Sequence, residues 1–224
     1  MTTRGTVAVL GPGAVGGVLA VPLVGAGIDV VCIARPATAA AITSRGLSLR
    51  HGSEVTTVRL RAVEELDESV DLLLVTVKAT GLDDALGHVK ATPGAVLPLL
   101  NGLEHVDTIR RRLGGEVLAG SIGRLEAYRD SPTDVVQTTS APLITIFPED
   151  GAADLLRKGG LDVRAGASEQ AVLWRRRSGS LPSQRRPRSR RRLWGSCGAT
   201  APGARRSRQR SPRRARSRPP MASR

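Results

Sequence analysis

The chain has 224 residues, and its formal net charge of +14 is distributed very unevenly. Residues 174–224 contain 18 Arg with no Lys, Asp or Glu, whereas residues 1–173 contain 16 basic residues and all 20 acidic ones. This composition excludes an ordinary folded domain after residue 173 and predicts one globular domain, residues 1–173, followed by a disordered basic tail, residues 174–224.

Short apolar runs alternate with helical segments throughout the first part of the chain. The predicted strands are 5–10, 28–34, 70–77, 95–100, 116–121, 124–129, 134–139, 142–147 and 161–165, with an antiparallel excursion at 46–63. The predicted helices are 14–26, 36–45, 80–89, 103–113, 150–158 and one that begins near Ser168. Pro22 is expected to kink or end the first helix. The alternation predicts an α/β fold with a doubly wound, mostly parallel sheet.

A glycine-rich loop follows the first predicted strand and opens the first predicted helix. Its sequence is Gly11-Pro12-Gly13-Ala14-Val15-Gly16, a G-x-G-x-x-G spacing inside a βαβ unit. We expect Gly11 to allow the tight turn, Gly13 to let a pyrophosphate approach the backbone, and Gly16 to allow close packing of helix on strand. The N–H groups and dipole of the helix N-terminus favour phosphate there. The pattern predicts a Rossmann-type domain in which these six residues bind a dinucleotide.

The residue after the second predicted strand indicates which dinucleotide is bound. Enzymes that use NAD place Asp or Glu there, on the ribose 2′-hydroxyl. This chain has Arg35, and a planar guanidinium suits a 2′-phosphate. We therefore predict NADP(H), with a solvated surface arginine as the alternative.

The two cysteines indicate a reducing compartment. Cys32 lies in a predicted buried strand and Cys197 in the basic tail, and neither has the spacing of a metal site. Residues 15–34 are apolar, but Asp29 and four glycines interrupt them, which argues against a membrane segment. We expect a cytoplasmic protein without a metal ion.

Several motifs occur in an order that resembles the ketopantoate reductases (2-dehydropantoate 2-reductases). After the glycine loop and Arg35 come the segment LLLVTVKA at 72–79, Leu100-Asn101-Gly102, and Leu173-Trp174-Arg175. The resemblance extends over roughly residues 5–176. It implies a Rossmann-type fold and the NADPH-dependent reduction of a small 2-keto acid, 2-dehydropantoate, to pantoate in pantothenate and coenzyme A synthesis.

The same resemblance implies roles for individual residues. Lys78 would meet the cofactor near its ribose or phosphate, Asn101 would lie close to nicotinamide and substrate, and the backbone of Ala127 would contact the cofactor. As alternatives, Lys78 is a solvated charge at a strand end and Asn101 belongs to an ordinary Asn-Gly turn. His88 and His105 have no partner at catalytic spacing, and we expect both on helix surfaces.

The chain departs from the family where a proton donor is needed. The resemblance implies a lysine on the helix after the Leu-Trp motif, and the matching residue here is Arg176. Arginine can polarise a carbonyl but stays protonated, and general acid catalysis is typically worth about 10²–10⁴-fold. There is no Asn after Asn101 and no carboxylate side chain after Glu169, although the family's helical C-terminal domain supplies both. We expect impaired catalysis, and we hypothesise that a frameshift near codons 175–177 replaced the native C-terminal domain with the basic tail.

Two other functions are compatible with the sequence. One is an NADP(H)-binding protein without catalysis. The other takes the tail as a basic arm that binds nucleic acid non-specifically through its arginines. Trp194 is the only aromatic residue after Trp174 that could stack on a base.

Overall fold

The computed structural model describes residues 5–100 and 104–178. The strands of this part are β1 Thr6–Leu10, β2 Asp29–Ile33, β3 Leu47–His51, β4 Glu54–Val58, β5 Arg61–Val63, β6 Leu72–Val75, β7 Ala95–Pro98, β8 Glu116–Val117, β9 Ala119–Gly123, β10 Ala127–Arg129, β11 Asp134–Gln137, β12 Leu143–Phe147 and β13 Asp162–Ala165. The α-helices are α1 Ala14–Gly25, α2 Pro36–Arg45, α3 Leu82–Leu86, α4 Glu104–Leu113, α5 Gly151–Lys158 and α6 Glu169–Ser178, and a 3₁₀ turn spans Ala79–Gly81.

The central sheet contains six parallel strands in the order β5-β2-β1-β6-β7-β8. Strand β1 shows why its sequence is apolar throughout: Val7 and Val9 pack into one core cluster, and Ala8 and Leu10 pack into another. A strand covered on both faces has no side available for polar residues. The predicted Rossmann-type α/β fold with a mostly parallel central sheet is confirmed.

The later strands do not extend this sheet. Strands β10, β11, β3 and β4 form a four-stranded mixed sheet in that order, and β13, β12 and β9 form a three-stranded one. The predicted excursion at 46–63 contains the antiparallel pair β3 and β4, but its last strand, β5, joins the central sheet beside β2. Apolar alternation in the sequence marks a strand without identifying the strand it pairs with.

Helix α1 lies between the central sheet and the four-stranded sheet. A Cβ atom built on Gly17 would lie only 2.6 Å from Cγ2 of Val135 in β11, so the helix and this second sheet are in close contact. Of the two outcomes expected at Pro22, a kink or an early end of the helix, the early end is wrong, because α1 continues to Gly25. Val21 and Leu23 on either side of Pro22 are 2% and 0% exposed, and their burial offsets the hydrogen bond that proline removes.

Helix α6 runs past the predicted domain boundary. The boundary was expected between residues 173 and 174, but the helical backbone continues to Ser178 because arginine is a good helix former. Residues 179–224 of the predicted tail lie outside the described residues. Within the described ranges, no helix is long and apolar enough to cross a membrane, and no group of three or more side chains is arranged to hold a metal ion.

Candidate functional site

A cleft of about 910 Å³ opens at the carboxyl ends of the central strands. The strand order reverses between β1 and β6, and ligands of open α/β sheets bind outside the carboxyl ends at such a point. The lining consists of the glycine loop and of residues that follow β2, β5 and β6, together with β10. These residues are Leu10, Gly11, Pro12, Gly13, Ala14, Val15, Ile33, Ala34, Arg35, Pro36, Thr38, Glu64, Thr76, Val77, Lys78, Thr80, Gly81, Asp84, Ala85, His88, Ala127, Tyr128 and Arg129.

The turn at Gly11 is fixed by hydrogen bonds to both neighbouring strands. Gly11 has a φ of +85°, which glycine adopts without the penalty that a side chain would bring. Its N–H donates to the carbonyl of Ile33 at 3.0 Å, and its own carbonyl accepts from Oγ1 of Thr76 at 2.8 Å. The expected tight turn is therefore present and is held between the ends of β2 and β6.

The other two glycines of the loop differ in their surroundings. A Cβ atom on Gly16 would lie 2.6 Å from the carbonyl oxygen of Gly11 and 3.0 Å from Cγ1 of Val9, so the helix packs against β1 too closely for any side chain. A Cβ atom on Gly13 would have no neighbour nearer than 3.9 Å. Gly13 is also the N-cap of α1, and no side chain accepts a hydrogen bond there. The loop thus offers an open surface and uncapped N–H groups, which fits a phosphate.

Cations line the cleft without protein partners. Arg35 follows β2, Lys78 follows β6, and both side chains are exposed. Neither forms an ion pair within the described part of the chain, whereas Arg61 pairs with Glu68, and Arg124 pairs with Asp162 at 2.6 Å. Their positive charges are therefore available to an anionic ligand.

The remaining predicted site residues are Ala127, Asn101 and Arg176, and only Ala127 has a described side chain. Ala127 is in β10 and lines the cleft together with the loop, Arg35 and Lys78. Asn101 lies outside the described residues. Arg176 belongs to the helical backbone of α6, but its side chain is not described.

Fifteen lining residues were not singled out from the sequence as site residues, among them Thr76, His88, Tyr128 and Arg129. Thr76 bonds the glycine loop, and Tyr128 and Arg129 extend the wall that begins at Ala127. His88 lies in the turn after α3 and lines the cleft, so its expected place on a helix surface is wrong. Thr76 lies within the motif that contains Lys78, which was a usable signal. For Tyr128 and Arg129 the signal was their place directly after Ala127, while the side of the sheet that each faces depends on strand pairing.

His105 is the second histidine that differs from expectation. It was expected on a helix surface, yet it is only 5% exposed in α4. Ile109, one helical turn later, is 0% exposed, and residues at this spacing share a helix face. The face that contains His105 is therefore the one that packs against the core.

Two of the shifted pKa values outside the cleft belong to residues of the strands that flank it, Cys32 in β2 and Asp134 in β11. Cys32 is 0% exposed in β2, which confirms the predicted buried strand. This burial raises the pKa of the Cys32 thiol to about 12, so the thiol is a poor nucleophile. The hydrogen bond from the Ser131 hydroxyl lowers the pKa of the Asp134 carboxyl below its ordinary value. Asp134 is the first residue of β11, so this hydrogen bond stabilises the turn that joins β10 to β11.

Similar structures have the same architecture. A ketopantoate reductase of the PanE/ApbA family from Ralstonia eutropha JMP134 is 29% identical with a TM-score of 0.66, and the match covers 75% of this chain and 59% of that one. A 2-dehydropantoate 2-reductase from Porphyromonas gingivalis W83 is 24% identical with a TM-score of 0.65, over 73% of this chain and 64% of that one. A D-mandelate dehydrogenase in complex with NADH and anilino(oxo)acetate is 24% identical with a TM-score of 0.65, over 75% and 59%. At 24% identity, the last two show the fold alone.

The chain spans about three fifths of the length of these structural relatives. No curated protein matched the chain in the sequence comparison. The family model described as "Ketopantoate reductase PanE/ApbA" matches residues 7–148, which include the glycine loop, Arg35, Lys78 and Ala127. On this match, which covers more than half of the sequence, the chain belongs to the ketopantoate reductase PanE/ApbA family.

Proposed function

We propose that this chain binds NADPH in the cleft and is the cofactor-binding part of a reductase for small 2-keto acids. The observation that carries the proposal is the combination of an open glycine loop with an unpaired Arg35 at the end of β2. Within the 2-keto acids, 2-dehydropantoate is our proposed substrate and pantoate the product. This reaction belongs to pantothenate synthesis, which we place in the cytoplasm.

Different residues of the cleft would bind different parts of the cofactor. In a dinucleotide fold, the loop that opens the first helix binds the pyrophosphate, and the end of the second strand meets the adenosine ribose. Arg35 would therefore bind the 2′-phosphate through paired N–H donors. Lys78 would add a point charge near ribose or phosphate, and the backbone of Ala127 would contact the cofactor from β10.

Reduction needs a hydride and a proton at the keto group. NADPH, when bound, would supply the hydride to the carbonyl carbon. In the proposed site Asn101 would lie close to the nicotinamide and the substrate, and Arg176, at the position of the family's lysine, would stabilise the negative oxygen until solvent water supplies the proton. Because an arginine gives up its proton poorly, we expect slow turnover from this chain.

Binding measurements test the cofactor assignment. Calorimetric titration of the full chain should give a lower Kd for NADPH than for NADH. Arg35→Ala should weaken NADPH binding by roughly 10–100-fold, the value of a hydrogen bond to a charged group, and should leave NADH binding nearly unchanged. Arg164→Ala is the matched control, because Arg164 in β13 is also exposed but lies outside the cleft. An equal loss for both cofactors in Arg35→Ala would contradict the 2′-phosphate role.

A second assay addresses catalysis. NADPH oxidation with 2-dehydropantoate should proceed far below the rate of a full-length ketopantoate reductase measured alongside. A rate close to that of the full-length enzyme would contradict the predicted impairment. Cofactor binding with no turnover at all would favour an NADP(H)-binding protein without catalysis.

A further inference from the structure

Strand β10 forms a wall of the cleft that does not belong to the central sheet. Its three residues, Ala127, Tyr128 and Arg129, all line the cleft, and Arg129 is the only charged residue among them. The two carboxylates of the lining, Glu64 and Asp84, follow β5 and lie in α3, respectively. The charge that β10 brings to the cleft is therefore positive.

The register of the four-stranded sheet shows which way Arg129 faces. Arg129 is paired with Val135 across the antiparallel ladder of β10 and β11. Paired residues in such a ladder point to the same face of the sheet. Val135 is 1% exposed and contacts Gly17 of α1. Arg129 consequently lies on the face that meets α1, the helix that the glycine loop opens.

The cleft lining also shows which end of α1 lies beside Arg129. The cleft includes Ala14 and Val15 from the first turn of α1 and no later residue of that helix. Gly17, against which the partner of Arg129 packs, is the fourth residue of α1. Arg129 is therefore beside the phosphate-binding end of the helix and not beside its carboxyl end.

The guanidinium of Arg129 is exposed and forms no ion pair with any residue that the structure describes. We propose that Arg129 binds the pyrophosphate of the nicotinamide dinucleotide, as a second ligand that reaches the glycine loop from β10. This rests on the function proposed above. It divides the phosphates between two arginines: Arg35 takes the 2′-phosphate, which only NADPH carries, and Arg129 takes the pyrophosphate, which NADPH and NADH share.

This division predicts a different signature for each arginine. Arg129→Gln removes the charge and keeps most of the side chain. It should weaken the binding of NADPH and NADH by a similar factor, on the order of 10-fold, as expected for one charge-assisted contact. The salt dependence of both Kd values should decrease because one screened charge pair is lost. Arg129→Lys should recover part of the affinity.

Arg50→Gln provides the matched control. Arg50 lies in β3 of the same sheet and is paired with Val136, so it faces away from α1, and it does not line the cleft. Its substitution should leave both affinities unchanged. Circular dichroism on all variants should show unchanged folding, since Arg129 forms no ion pair that its loss would break.

Each alternative result overturns the inference in a recognisable way. If Arg129→Gln binds both cofactors like the unmodified chain, Arg129 is not a phosphate ligand. A loss confined to NADPH would move Arg129 to the 2′-phosphate and refute the pyrophosphate assignment. If the unmodified chain binds neither cofactor, the proposed function fails, and the role of Arg129 fails with it.

Discussion

The two edges of the central sheet use charged side chains differently. At the amino ends of β1, β6, β7 and β8, a second cleft of about 400 Å³ is lined by the carboxylates Asp71, Glu116, Asp150 and Asp154, with Lys158. Two of these carboxylates are bonded to the backbone. Asp71 Oδ2 accepts from the N–H of Thr6 at 2.7 Å, and Asp150 Oδ1 accepts from Ala152 at 3.0 Å as the N-cap of α5.

The carboxyl edge shows the opposite arrangement. Its cations Arg35, Lys78 and Arg129 have no ion-pair partner among the described residues, and the N-cap of α1 is a glycine. At the amino edge two of the four carboxylates accept from the protein's own N–H groups, whereas at the carboxyl edge the cations pair with no described residue. On the function proposed above, charge would serve stability at one edge and binding at the other.

We expect the largest effect from Gly16→Ala, which tests whether cofactor binding at the carboxyl edge depends on the shape of the glycine loop. Gly16→Ala would place a Cβ atom 2.6 Å from the Gly11 carbonyl and 2.7 Å from Thr76 Oγ1. Such overpacking should lower the free energy of unfolding by about 1–3 kcal/mol and abolish NADPH binding, because the loop must move. Urea denaturation and calorimetry measure the two effects.

Gly25→Ala in the same helix is the control for Gly16→Ala. A Cβ atom on Gly25 has no neighbour within 4 Å, so this change should be neutral or should stabilise the helix by up to about 1 kcal/mol. NADPH affinity should not change. Similar losses in both variants would show that the close packing at Gly16 is not what shapes the loop.

A smaller effect is expected at the amino edge, and it should be confined to stability. Asp150→Ala removes the side-chain cap of α5 and should lower the free energy of unfolding by about 1 kcal/mol. Asp150→Ser retains a capping oxygen and should recover most of the loss. The Kd for NADPH should be the same in all three proteins. A change in the Kd for NADPH would contradict the view that the amino edge of the central sheet contributes to stability and not to binding.

The smallest effect concerns the turn that positions β10, and it depends on pH. Folding lowers the pKa of Asp134, chiefly through the hydrogen bond from Ser131, so the folded protein takes up this proton less readily than the unfolded chain. The stabilisation is therefore complete above the unfolded pKa of about 3.9 and is lost as the pH falls through the depressed folded value.

Asp134→Asn should then lower stability at pH 7 by less than about 1 kcal/mol, since the side chain is half-buried, and the difference should shrink toward acidic pH. Urea denaturation at a series of pH values provides the measurement. A difference between the two proteins that stays constant from pH 7 to strongly acidic pH would contradict the charged hydrogen bond. Asp134 lies at the start of β11 and outside the cleft. The same substitution should therefore raise the Kd for NADPH only slightly.

The sequence was most informative where a feature is local. The glycine loop, Arg35 at the end of β2 and the segment that contains Lys78 line one cleft in the structure, because parallel strands place their carboxyl ends at one edge of the sheet. His105 was misplaced although α4 is amphipathic. Val106, Ile109 and Leu113 recur at helical spacing and are all buried. His105 lies one turn before Ile109 on the same side of the helix.

By itself, the sequence determined the α/β class, the phosphate loop and the basic character of residues 174–224, because these follow from composition and from spacing over a few residues. The family resemblance implied that Ala127 contacts the cofactor, but only the tertiary structure showed how the whole of β10 comes to line the cleft. The position of β10 requires β11 to pair with β3 in parallel and Val135 to pack against Gly17. Both contacts join residues that are far apart in the chain. Apolar alternation makes a strand, but the choice of its partner depends on which surfaces of the folded domain remain to be covered.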